Sequence, residues 1–480
     1  MAIVISDHMD QDVDFYVPPG SDATSAIQEA LILSQVYGVA HLVIRGRLYV
    51  YASANPPFVL DQSLHYIFEG DGLGEIDYVN PSNLSNPSAA FTISTQATAE
   101  MNYASTNAAV SGVTAYSTYG WIIAFKNMRL LNLTGQRWLF VSSFPFGPHS
   151  TMFYFDAVQF FASFWLNQTA TVVVNNCYFN NAEFLLDTQS REAVIMSSRF
   201  ENEASLAISP RGWAVIGCVF LSSITSLNPG VDGNNGSVIA CVFDYSRIVT
   251  QGANNLRLVA CQFQNVSFSG NPGYVQLSQG VNYAIVGCAF EGDWSVQMTD
   301  LWGSPSSLFI AFNTFDFGSS LVIQIRDGTF IDSIVIMGNT FISSSYHSSL
   351  IFITGNPAPG QSTAQLTGYF KMLWIAFNTF ITQGGTVLPF YINNSQIVYA
   401  QGYINVALSG TYAFIAFNYF ENNNGTVDQQ GQVLGAFSLQ QLTSNVTGIQ
   451  NLFFYFNVNE NNPVYLPSTQ NYTAQFNVGI

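Results

Sequence analysis

Acidic residues that directly follow a recurring phenylalanine are the first candidates for chemistry in this sequence. They are Glu201, Asp244, Glu291, Asp316 and Glu421. Two of them belong to close carboxylate pairs, Glu201 with Glu203 and Glu291 with Asp293. Two neighbouring carboxylates can act as acid and base in the cleavage of a glycosidic bond.

The same slot after the phenylalanine is not reserved for acids. In other copies it holds Asn180, Leu221, Gln264, Ile342 and Ile381. A polar residue at an exposed turn therefore explains the acids without catalysis. We predict no catalytic residue and keep only the two carboxylate pairs as candidates.

The histidines and cysteines do not predict an active site or a metal site. The five histidines lie far apart: His8, His41, His65, His149 and His347. The five cysteines lack the C-x-x-C spacing of zinc sites and recur at one position of a repeat. We expect no metal, no cofactor and no disulfide framework.

The elements that would position these residues are predicted by a repeated phrase. IAFNTF occurs at Ile310–Phe315 and Ile375–Phe380, and IAFNYF occurs at Ile415–Phe420. Related phrases end at Phe179, Phe200, Phe220, Phe243, Phe263, Phe290 and Phe341. Periods of 20 to 27 residues indicate a solenoid with one coil per copy. Two final steps of 39 and 40 residues are either single coils with an insertion or coil pairs with one copy unrecognised.

We call the residue two places before each phenylalanine position zero. It is occupied by Cys177, Ser198, Cys218, Cys241, Cys261, Cys288, Asn313, Asn339, Asn378, Asn418 and, in a degraded copy, Asn457. Apolar residues lie three and five places before it and two places after it. Because odd and even offsets in one strand point to opposite faces, the chain must turn a corner here.

Small residues beside position zero fit this corner, for example Gly217 directly before it and Ala311, Ala376 and Ala416 one place earlier. We predict that each position-zero residue points inward and stacks on its equivalent about 4.8 Å away in the next coil. The asparagines would then hydrogen-bond along the stack, and the cysteines would pack as small apolar groups.

Composition argues against a nucleic-acid partner and suggests a habitat. Lys and Arg total 12 against 29 Asp and Glu, and only 9% of residues are charged, compared with about 25% in typical proteins. The only lysines are Lys126 and Lys371, so no basic patch is available to bind phosphates. An uncharged polar surface suits strongly acidic surroundings, although a low-charge protein of no special habitat is the alternative.

Targeting signals are not evident in the sequence. No run reaches the roughly 18 apolar residues of a membrane span. The start has no cationic region, and its apolar stretch is too short for a signal peptide. We therefore expect synthesis without a signal peptide and no membrane span.

The N-terminal segment predicts a helix followed by short strands. Apolar residues at helical spacing are Ala26, Ile27, Ala30, Leu31 and Leu33. Ser21 or Asp22 is the expected N-cap and Gly38 the stop, which gives a helix at about 22–37.

Three motifs in this segment resemble the entry of pectate-lyase-like right-handed parallel β-helices, especially viral tailspikes. They are GSDATSAIQEA (Gly20–Ala30), GRLY (Gly46–Tyr49) and GDG (Gly70–Gly72). The resemblance implies that the helix caps the open end of the solenoid, where unpaired strand edges would invite aggregation. It implies no single activity, because the family mixes lyases, hydrolases and non-catalytic binders. The polygalacturonase-like motifs Asn-Thr-Asp, Gly-His-Gly and Arg-x-Lys are absent.

Aromatic stretches and glycosylation sequons are candidate surface features. Met152–Trp165 is dense in Phe and Trp, and Trp294 and Trp302 lie close together, so that sugar faces or a protein partner could stack there. Asn-x-Ser/Thr sequons occur at Asn83, Asn132, Asn167, Asn235, Asn265, Asn393, Asn424, Asn445 and Asn471.

These observations lead to one prediction of fold and two of function. The fold is an all-β, right-handed, single-stranded parallel β-helix with an N-terminal capping helix: cap and first strands at 1–75, coils at 76–430, and a closing or oligomerisation segment at 431–480. The favoured function is a non-enzymatic virion surface or tail-spike protein of an archaeal virus. It would be acid-stable and bear glycans, and it would bind host-surface glycans or an envelope protein.

Its other expected partners are virion proteins and, by the resemblance alone, two further copies in a homotrimer. The alternative function is a polysaccharide depolymerase, either a lyase or a glycoside hydrolase. An extracellular adhesin or an intracellular assembly protein is also compatible with the sequence. Synthesis without a signal peptide together with an outward-facing composition favours a virus, whose particle proteins leave the cell by assembly.

Overall fold

The computed structural model describes most of the coil-forming residues of the chain. These are residues 2–60, 65–93, 121–134, 137–142, 151–166, 171–186, 192–226, 235–251, 255–264, 274–278, 282–292, 295–301, 307–316, 320–326, 330–343, 351–356, 369–382, 404–407, 409–422, 437–439, 449–455, 457–460, 464–465 and 472–475. The chain forms two compact units, Met1–Gly233 (unit 1) and Asn234–Ile480 (unit 2).

Unit 1 contains one helix and short strands. The elements are β1 (Ala2–Ser6), β2 (Phe15–Tyr16), α1 (Thr24–Ser34), a 3-10 turn (Gln35–Tyr37), β3 (Val39–Tyr51), β4 (Phe58–Leu60), β5 (His65–Val79), β6 (Phe91–Ile93), β7 (Trp121–Asn132), β8 (Trp138–Ser142), β9 (Thr151–Asp156), β10 (Gln159–Phe161), β11 (Ser163–Leu166), β12 (Thr171–Asn175), β13 (Tyr178–Asn180), β14 (Glu183–Leu186), β15 (Glu192–Met196), β16 (Arg199–Glu201), β17 (Ser205–Ile208), β18 (Gly212–Ile216), β19 (Val219–Leu221) and β20 (Ile224–Ser226).

Unit 2 continues the same pattern of short strands. The elements are β21 (Gly236–Ile239), β22 (Val242–Asp244), β23 (Arg247–Gln251), β24 (Arg257–Val259), β25 (Gln262–Gln264), β26 (Tyr274–Ser278), β27 (Tyr283–Val286), β28 (Ala289–Phe290), β29 (Ser295–Leu301), β30 (Ser307–Ala311), β31 (Thr314–Phe315), β32 (Ser320–Arg326), β33 (Phe330–Met337), β34 (Thr340–Ser343), β35 (Ile351–Asn356), β36 (Tyr369–Ala376), β37 (Thr379–Thr382), β38 (Ile404–Ala407), β39 (Ser409–Ala416), β40 (Tyr419–Asn422), β41 (Phe437–Leu439), β42 (Ile449–Tyr455), β43 (Val458–Glu460), β44 (Val464–Tyr465) and β45 (Tyr472–Gln475).

The strands pair in parallel, each with the strand at the same place in the next coil. In unit 1, β13 pairs with β16 and Phe179 lies opposite Phe200. In unit 2, β34 pairs with β37 and Phe341 lies opposite Phe380. A separate ladder joins strands such as β14 and β17 on another side of the coil. The predicted right-handed, single-stranded parallel β-helix is therefore confirmed.

The pairing also explains the two long steps of the repeat. Phe341 pairs directly with Phe380, and Phe380 pairs directly with Phe420. No coil lies between the paired strands. The steps of 39 and 40 residues are therefore single coils with insertions, which was the first of the two alternatives.

Each corner is a residue with positive φ immediately before position zero. In unit 1 these residues include Asn176, Ser197 and Gly217, and in unit 2 they are Ala240, Ala260, Gly287, Phe312, Gly338, Phe377 and Phe417. In the three IAFN copies the bend falls on the phenylalanine, because Ala311, Ala376 and Ala416 still belong to strands. Placing the bend at these alanines was wrong, although the corner itself is where the pattern indicated.

The core consists of apolar residues stacked from coil to coil. In unit 1 the rings of Phe160, Phe179 and Phe200 lie parallel, with centroids 4.5 Å apart at each step. In unit 2 the stack from Phe243 to Phe380 has steps of 4.6 to 5.0 Å. Such stacking buries large apolar areas at every coil, so that burial stabilises the whole solenoid.

The capping helix packs beside the first strands. The N–H of Thr24 donates to Asp22 Oδ1 (3.0 Å), and Gly38 follows the last turn with a φ of +69°. Ile27 and Ala30 are fully buried, whereas Leu33 is exposed, so including Leu33 in the buried stripe was wrong. The eleven residues of α1 are too few to cross a bilayer, and the described part of the chain has no other candidate helix.

Parallel pairing extends through both ends of the described chain. β1 already pairs with β3, so coils begin within the segment predicted as a cap. β42 pairs with β45, so the ladder of unit 2 reaches Gln475 within the predicted closing segment. The division at residues 75 and 430 stays a prediction.

Candidate functional site

The position-zero residues are buried in both units. In unit 1, Ser198 Oγ accepts a hydrogen bond from the N–H of Cys177 (3.1 Å). In unit 2, Asn313, Asn339, Asn378, Asn418 and Asn457 are at most 1% exposed. Each Asn Oδ1 from Asn339 onward accepts bonds from the backbone N–H and the Nδ2 of the preceding asparagine, at 2.9 to 3.1 Å. These side chains serve the fold, since their polar groups are already engaged.

The cysteines are buried and form no disulfide bond: Cys177, Cys218, Cys241, Cys261 and Cys288. Burial raises the pKa of the Cys177 thiol to about 12, so that it stays protonated at neutral pH. A nucleophilic or metal-binding cysteine needs the thiolate.

Glu201 is an anchored carboxylate on the outer side of β16. It accepts hydrogen bonds from Tyr178 Oη (2.8 Å) and from the Arg199 side chain. Partial burial acts to raise its pKa, but these two donors hold the pKa below its usual value. Such a group is ionised at neutral pH and is a poor general acid.

Glu203 and Glu291 are exposed carboxylates, one in each unit. Glu203 is exposed, in a turn with a φ of +65°. Glu291 is exposed in unit 2, and its proposed partner Asp293 lies outside the described residues. Asp244 lies opposite Gln264, and Glu421 lies opposite Ile381 in β37 and Glu460 in β43.

The three described histidines each have a different partner. His41 Nε2 lies 2.9 Å from Glu69 Oε2, His8 pairs with Asp7, and His65 Nδ1 accepts the N–H of Ile122 (3.1 Å). His149 and His347 lie outside the described residues. Within the described ranges, no group of three His, Cys, Asp or Glu residues could hold a metal ion.

A charged cluster on the first coils was missed by sequence reasoning. The Asp77 side chain has 0% exposure and accepts from Arg47 Nε (2.7 Å), while Oδ1 has no partner. Glu75 binds both Arg47 (2.8 Å) and Arg129 (3.2 Å). Burial is the main reason that the pKa of Asp77 rises to about 6, and Glu75 adds to the rise. The sequence does contain a signal for this cluster. Acidic and apolar residues alternate in GEIDYV, which places Glu75 and Asp77 on the same side of β5.

The predicted aromatic stretch Met152–Trp165 belongs mostly to the core. Phe153, Phe155, Phe160 and Phe164 are fully buried. Trp294 and Trp302 lie outside the described residues. This part of the sequence therefore stabilises unit 1 and offers little exposed ring surface.

Two rows of aromatic residues with exposed rings lie in unit 2. One row runs through register-paired positions of successive coils: Phe309, Val335, Trp374, Phe414 and Phe453. The ring centroids of Trp374 and Phe414 are 5.2 Å apart, and those of Phe414 and Phe453 are 4.7 Å apart. At about 4.8 Å per coil the row is about 19 Å long.

A second row consists of the corner phenylalanines of the IAFN copies. Phe312, Phe377 and Phe417 are 61%, 53% and 46% exposed. The rings of Phe377 and Phe417 stack at 4.9 Å with an angle of 3° between planes. The Phe312 ring occupies the space where a Cβ on Gly338 would lie, 2.7 Å from Phe312 Cδ1. We name the two rows together the unit 2 aromatic face.

This face could have been found from the sequence. Other coils place Gly, Ala, Ser or Asn at the bend before position zero, which suits a positive φ. A phenylalanine at the same place costs about 1–2 kcal/mol in backbone strain. Three such phenylalanines in nearly identical phrases indicate a surface role.

Three of the nine sequons lie in described segments. Asn83 and Asn235 are exposed with positive φ, and Asn132 is partly buried with its Oδ1 accepting from Thr134 Oγ1 (2.7 Å). The other sequons lie outside the described residues: Asn167, Asn265, Asn393, Asn424, Asn445 and Asn471.

Comparison with known proteins yields solved structures of similar fold. No family model and no curated protein matches the chain. The A-module of the Azotobacter vinelandii mannuronan C-5 epimerase AlgE6 is 11% identical, with 95% of each chain covered and a TM-score of 0.29. A mutant tailspike protein of E. coli bacteriophage HK620 is 11% identical over 98% of this chain and 77% of that chain, with a TM-score of 0.39. Tailspike protein 3 of bacteriophage CBA120 is 12% identical over 96% of this chain and 60% of that chain, with a TM-score of 0.33.

These similarities concern the fold alone, and the strand ladders of the chain itself establish that fold. It is the right-handed parallel β-helix that the resemblance to pectate-lyase-like and tailspike proteins implied.

Proposed function

We propose that this protein is a non-enzymatic attachment protein on the surface of a virus particle, and that the unit 2 aromatic face contacts a host-surface glycan or envelope protein. The observation that carries the proposal is the regular exposure of rings in two rows. Contiguous apolar patches on a protein surface mark interaction surfaces. Their side chains face water and forgo the stabilisation that burial in the core would give. Rings spaced at the coil repeat offer successive stacking platforms for an extended ligand.

The polar surroundings of the rings favour a sugar or an envelope protein over a nucleic acid. Proteins that stack single-stranded bases add a positively charged groove for the backbone. This chain has 12 Lys and Arg against 29 Asp and Glu. The face consists of Phe, Trp and Val residues, and Lys371 is the one cation of strand β36.

The composition and the resemblance to tailspikes support our proposal of a place on a virion surface. Among its described residues, unit 2 is held mainly by buried rings and the asparagine ladder, so acid should disturb these parts little. We further propose that the host is an acid-loving archaeon. In the particle, the protein would form a homotrimer that assembles with other virion proteins. Asn83 and Asn235 are the best-presented sequons of the described segments.

The aromatic face can be tested by paired substitutions. Trp374→Ala with Phe414→Ala should lower binding to host envelope preparations by about tenfold or more, because stacked rings of this kind contribute about 1–3 kcal/mol each. Binding would be measured by surface plasmon resonance on immobilised envelopes of acid-loving archaea. Tyr16→Ala, which removes an exposed ring in unit 1, is the control and should bind like the parent. Equal binding by all variants would exclude the face as the contact surface.

The depolymerase alternative is tested with the same material. We expect no new reducing or unsaturated ends after incubation of the protein with host-surface polysaccharide, because Glu201 is held by two hydrogen-bond donors that keep it ionised and so make it a poor general acid. Release of such ends, lost in Glu201→Gln or Glu291→Gln but kept in Trp374→Ala, would show that the protein is an enzyme. Cleavage unaffected by either Gln variant would place the active site elsewhere and also refute the non-enzymatic proposal.

A further inference from the structure

Unit 1 contains a polar pocket that neither the aromatic face nor the carboxylate candidates explain. It encloses about 560 Å³ and lies at the corners of successive coils. This volume falls within the roughly 300–1,000 Å³ typical of small-molecule sites. Its polar lining comes from Glu69, Asp71, Asn127, Gln159, Asn176 and Tyr178.

One wall of the pocket is an insertion in β5. The register between β5 and β7 jumps from Glu69 opposite Lys126 to Gly74 opposite Met128. The chain between them contains the GDG motif. A Cβ on Gly70 would lie 2.1 Å from the carbonyl oxygen of Asn127, so that only glycine allows this close approach.

The opposite wall is built from corner residues in a left-handed conformation. Asn127, Ala157 and Asn176 have φ values of +50°, +54° and +52°. Asparagine tolerates this conformation better than most residues. Because two of these corner residues are asparagines, Asn127 and Asn176, they also contribute carboxamide groups to the pocket lining.

The carboxamides in the pocket are available for a ligand. No described residue donates to or accepts from the side-chain amides of Asn127, Gln159 or Asn176. Each offers both a donor and an acceptor. Three such groups in one concavity match a ligand that carries many hydroxyl groups, each of which also donates and accepts.

The carboxylates of Glu69 and Asp71 are each held through one oxygen, which leaves the other oxygen for a ligand. Glu69 Oε2 lies 2.9 Å from His41 Nε2, and Asp71 Oδ2 lies 2.8 Å from Arg45. No described residue hydrogen-bonds to Glu69 Oε1 or Asp71 Oδ1. Arg45 offsets the charge of Asp71, and the uncommitted oxygens of both carboxylates can accept hydrogen bonds from hydroxyl groups.

Tyr178 supplies a fixed aromatic wall. Its hydroxyl donates to Glu201 (2.8 Å) and accepts from Asn180 Nδ2 (2.8 Å), so the ring cannot turn away. The Phe161 ring packs edge-on against it at 6.0 Å. A fixed ring beside amides and carboxylates suits the apolar face of a sugar.

Other ligand classes fit the pocket less well. None of the described lining residues is a Lys, Arg or His, so phosphate or a uronate would meet two carboxylates without a cation. A divalent ion would have to displace His41 and Arg45, and no group of metal ligands lies among the described residues. An apolar ligand would leave the amides without partners.

We infer that this pocket binds a neutral saccharide unit through the amides of Asn127, Gln159 and Asn176, the free carboxylate oxygens and the Tyr178 ring. The site goes beyond the proposed function, because it lies in unit 1 and does not involve the unit 2 aromatic face. It favours uncharged sugars over uronates.

The test uses the full-length protein and a panel of neutral hexose and N-acetylhexosamine oligosaccharides, with uronate oligosaccharides and inorganic phosphate as competitors. Saturation-transfer NMR would detect binding, and hydrogen exchange would locate it. We expect neutral oligosaccharides to bind and to protect peptides that contain Asn127 and Asn176. Gln159→Ala and Asn176→Asp should each weaken binding about tenfold, which corresponds to one lost hydrogen bond to the ligand.

The matched control is Asn181→Asp, which changes the same residue type at a φ of +46° in unit 1 but outside the pocket lining. It should bind like the parent. The inference is overturned if no neutral oligosaccharide binds at millimolar concentration, if uronate or phosphate binds as well, or if Asn181→Asp weakens binding equally. Loss of binding in Trp374→Ala, with binding kept in Gln159→Ala and Asn176→Asp, would assign sugar binding to the aromatic face and not to the pocket.

Discussion

Replacing Asn378 with leucine is expected to destabilise unit 2 by roughly 3–5 kcal/mol. Asn378 Oδ1 accepts from the N–H and the Nδ2 of Asn339 (2.9 and 3.0 Å), and its own Nδ2 donates to Ile336 O (3.0 Å). Leucine fills similar space but leaves these groups without a partner inside a dry core. Each orphaned group costs about 1–3 kcal/mol.

The effect would be measured by urea unfolding together with hydrogen exchange in peptides from β34 to β40. Thr379→Leu is the control, since it changes the next residue, which is only partly buried and lies outside the asparagine ladder. The control should shift stability by less than about 1 kcal/mol. If both variants lost the same stability, the amide ladder would not be a main source of stability in unit 2.

The ladder also positions the aromatic face. Phe377, whose ring is exposed, directly precedes Asn378, whose side chain is buried. The bend between them has a φ of +58° at Phe377, which a phenylalanine does not adopt unless the surrounding structure holds it. Two backbone anchors, Phe377 N to Ala416 O (3.2 Å) and Asn378 N to Asn418 Oδ1 (3.0 Å), fix this bend. Asn378→Leu should therefore weaken aromatic-face binding as well as stability.

The coil pattern could be predicted because it repeats along one chain. In a parallel solenoid each strand meets its equivalent one coil later, so that a local phrase determines a long-range contact. Position zero could be identified because its neighbours on both sides are apolar, which requires a corner. The first coils carry no such phrase. Val158 occupies in its own coil the place that Cys177 occupies in the next one, and it is buried there. This place therefore requires only a small apolar residue.

The surface sites were harder to predict because they depend on pairs distant in sequence. Arg47 meets Asp77 across 30 residues, and the pocket combines β5, β7, β10 and β13. Their register is shifted by bulges, such as the one between Glu69 and Gly74, and no periodicity in the sequence reports a bulge. Leu33 was misplaced for a related reason, since α1 packs on one side only and leaves its far side in water.

Asp77 is expected to make unit 1 more stable in mild acid than at neutral pH. Its carboxyl is fully buried on β5, facing Arg47 and Tyr49 from β3, Glu75 from its own strand and Arg129 from β7. Its folded-state pKa is raised from 3.8 to about 6, first by burial and then by Glu75, against the opposing effect of Arg47. Because the folded pKa lies above the unfolded value, the contribution to stability is complete below about pH 4 and is lost as pH rises through about 6.

A shift of this size corresponds to a change of about 2 kcal/mol between pH 4 and pH 7.5. Asp77→Asn keeps the shape without the titration, so the stability difference between parent and variant should change by about this amount across the range. Hydrogen exchange in β5 peptides of the full chain would report it, with unit 2 peptides as an internal reference and exposed Glu203→Gln as the control. Glu201, whose pKa is lowered, loses its stabilising contribution only at more acidic pH and so does not mask the effect. A parent–variant difference that stays constant from pH 4 to pH 7.5 would mean that Asp77 is ionised throughout and that its burial does not favour the protonated acid.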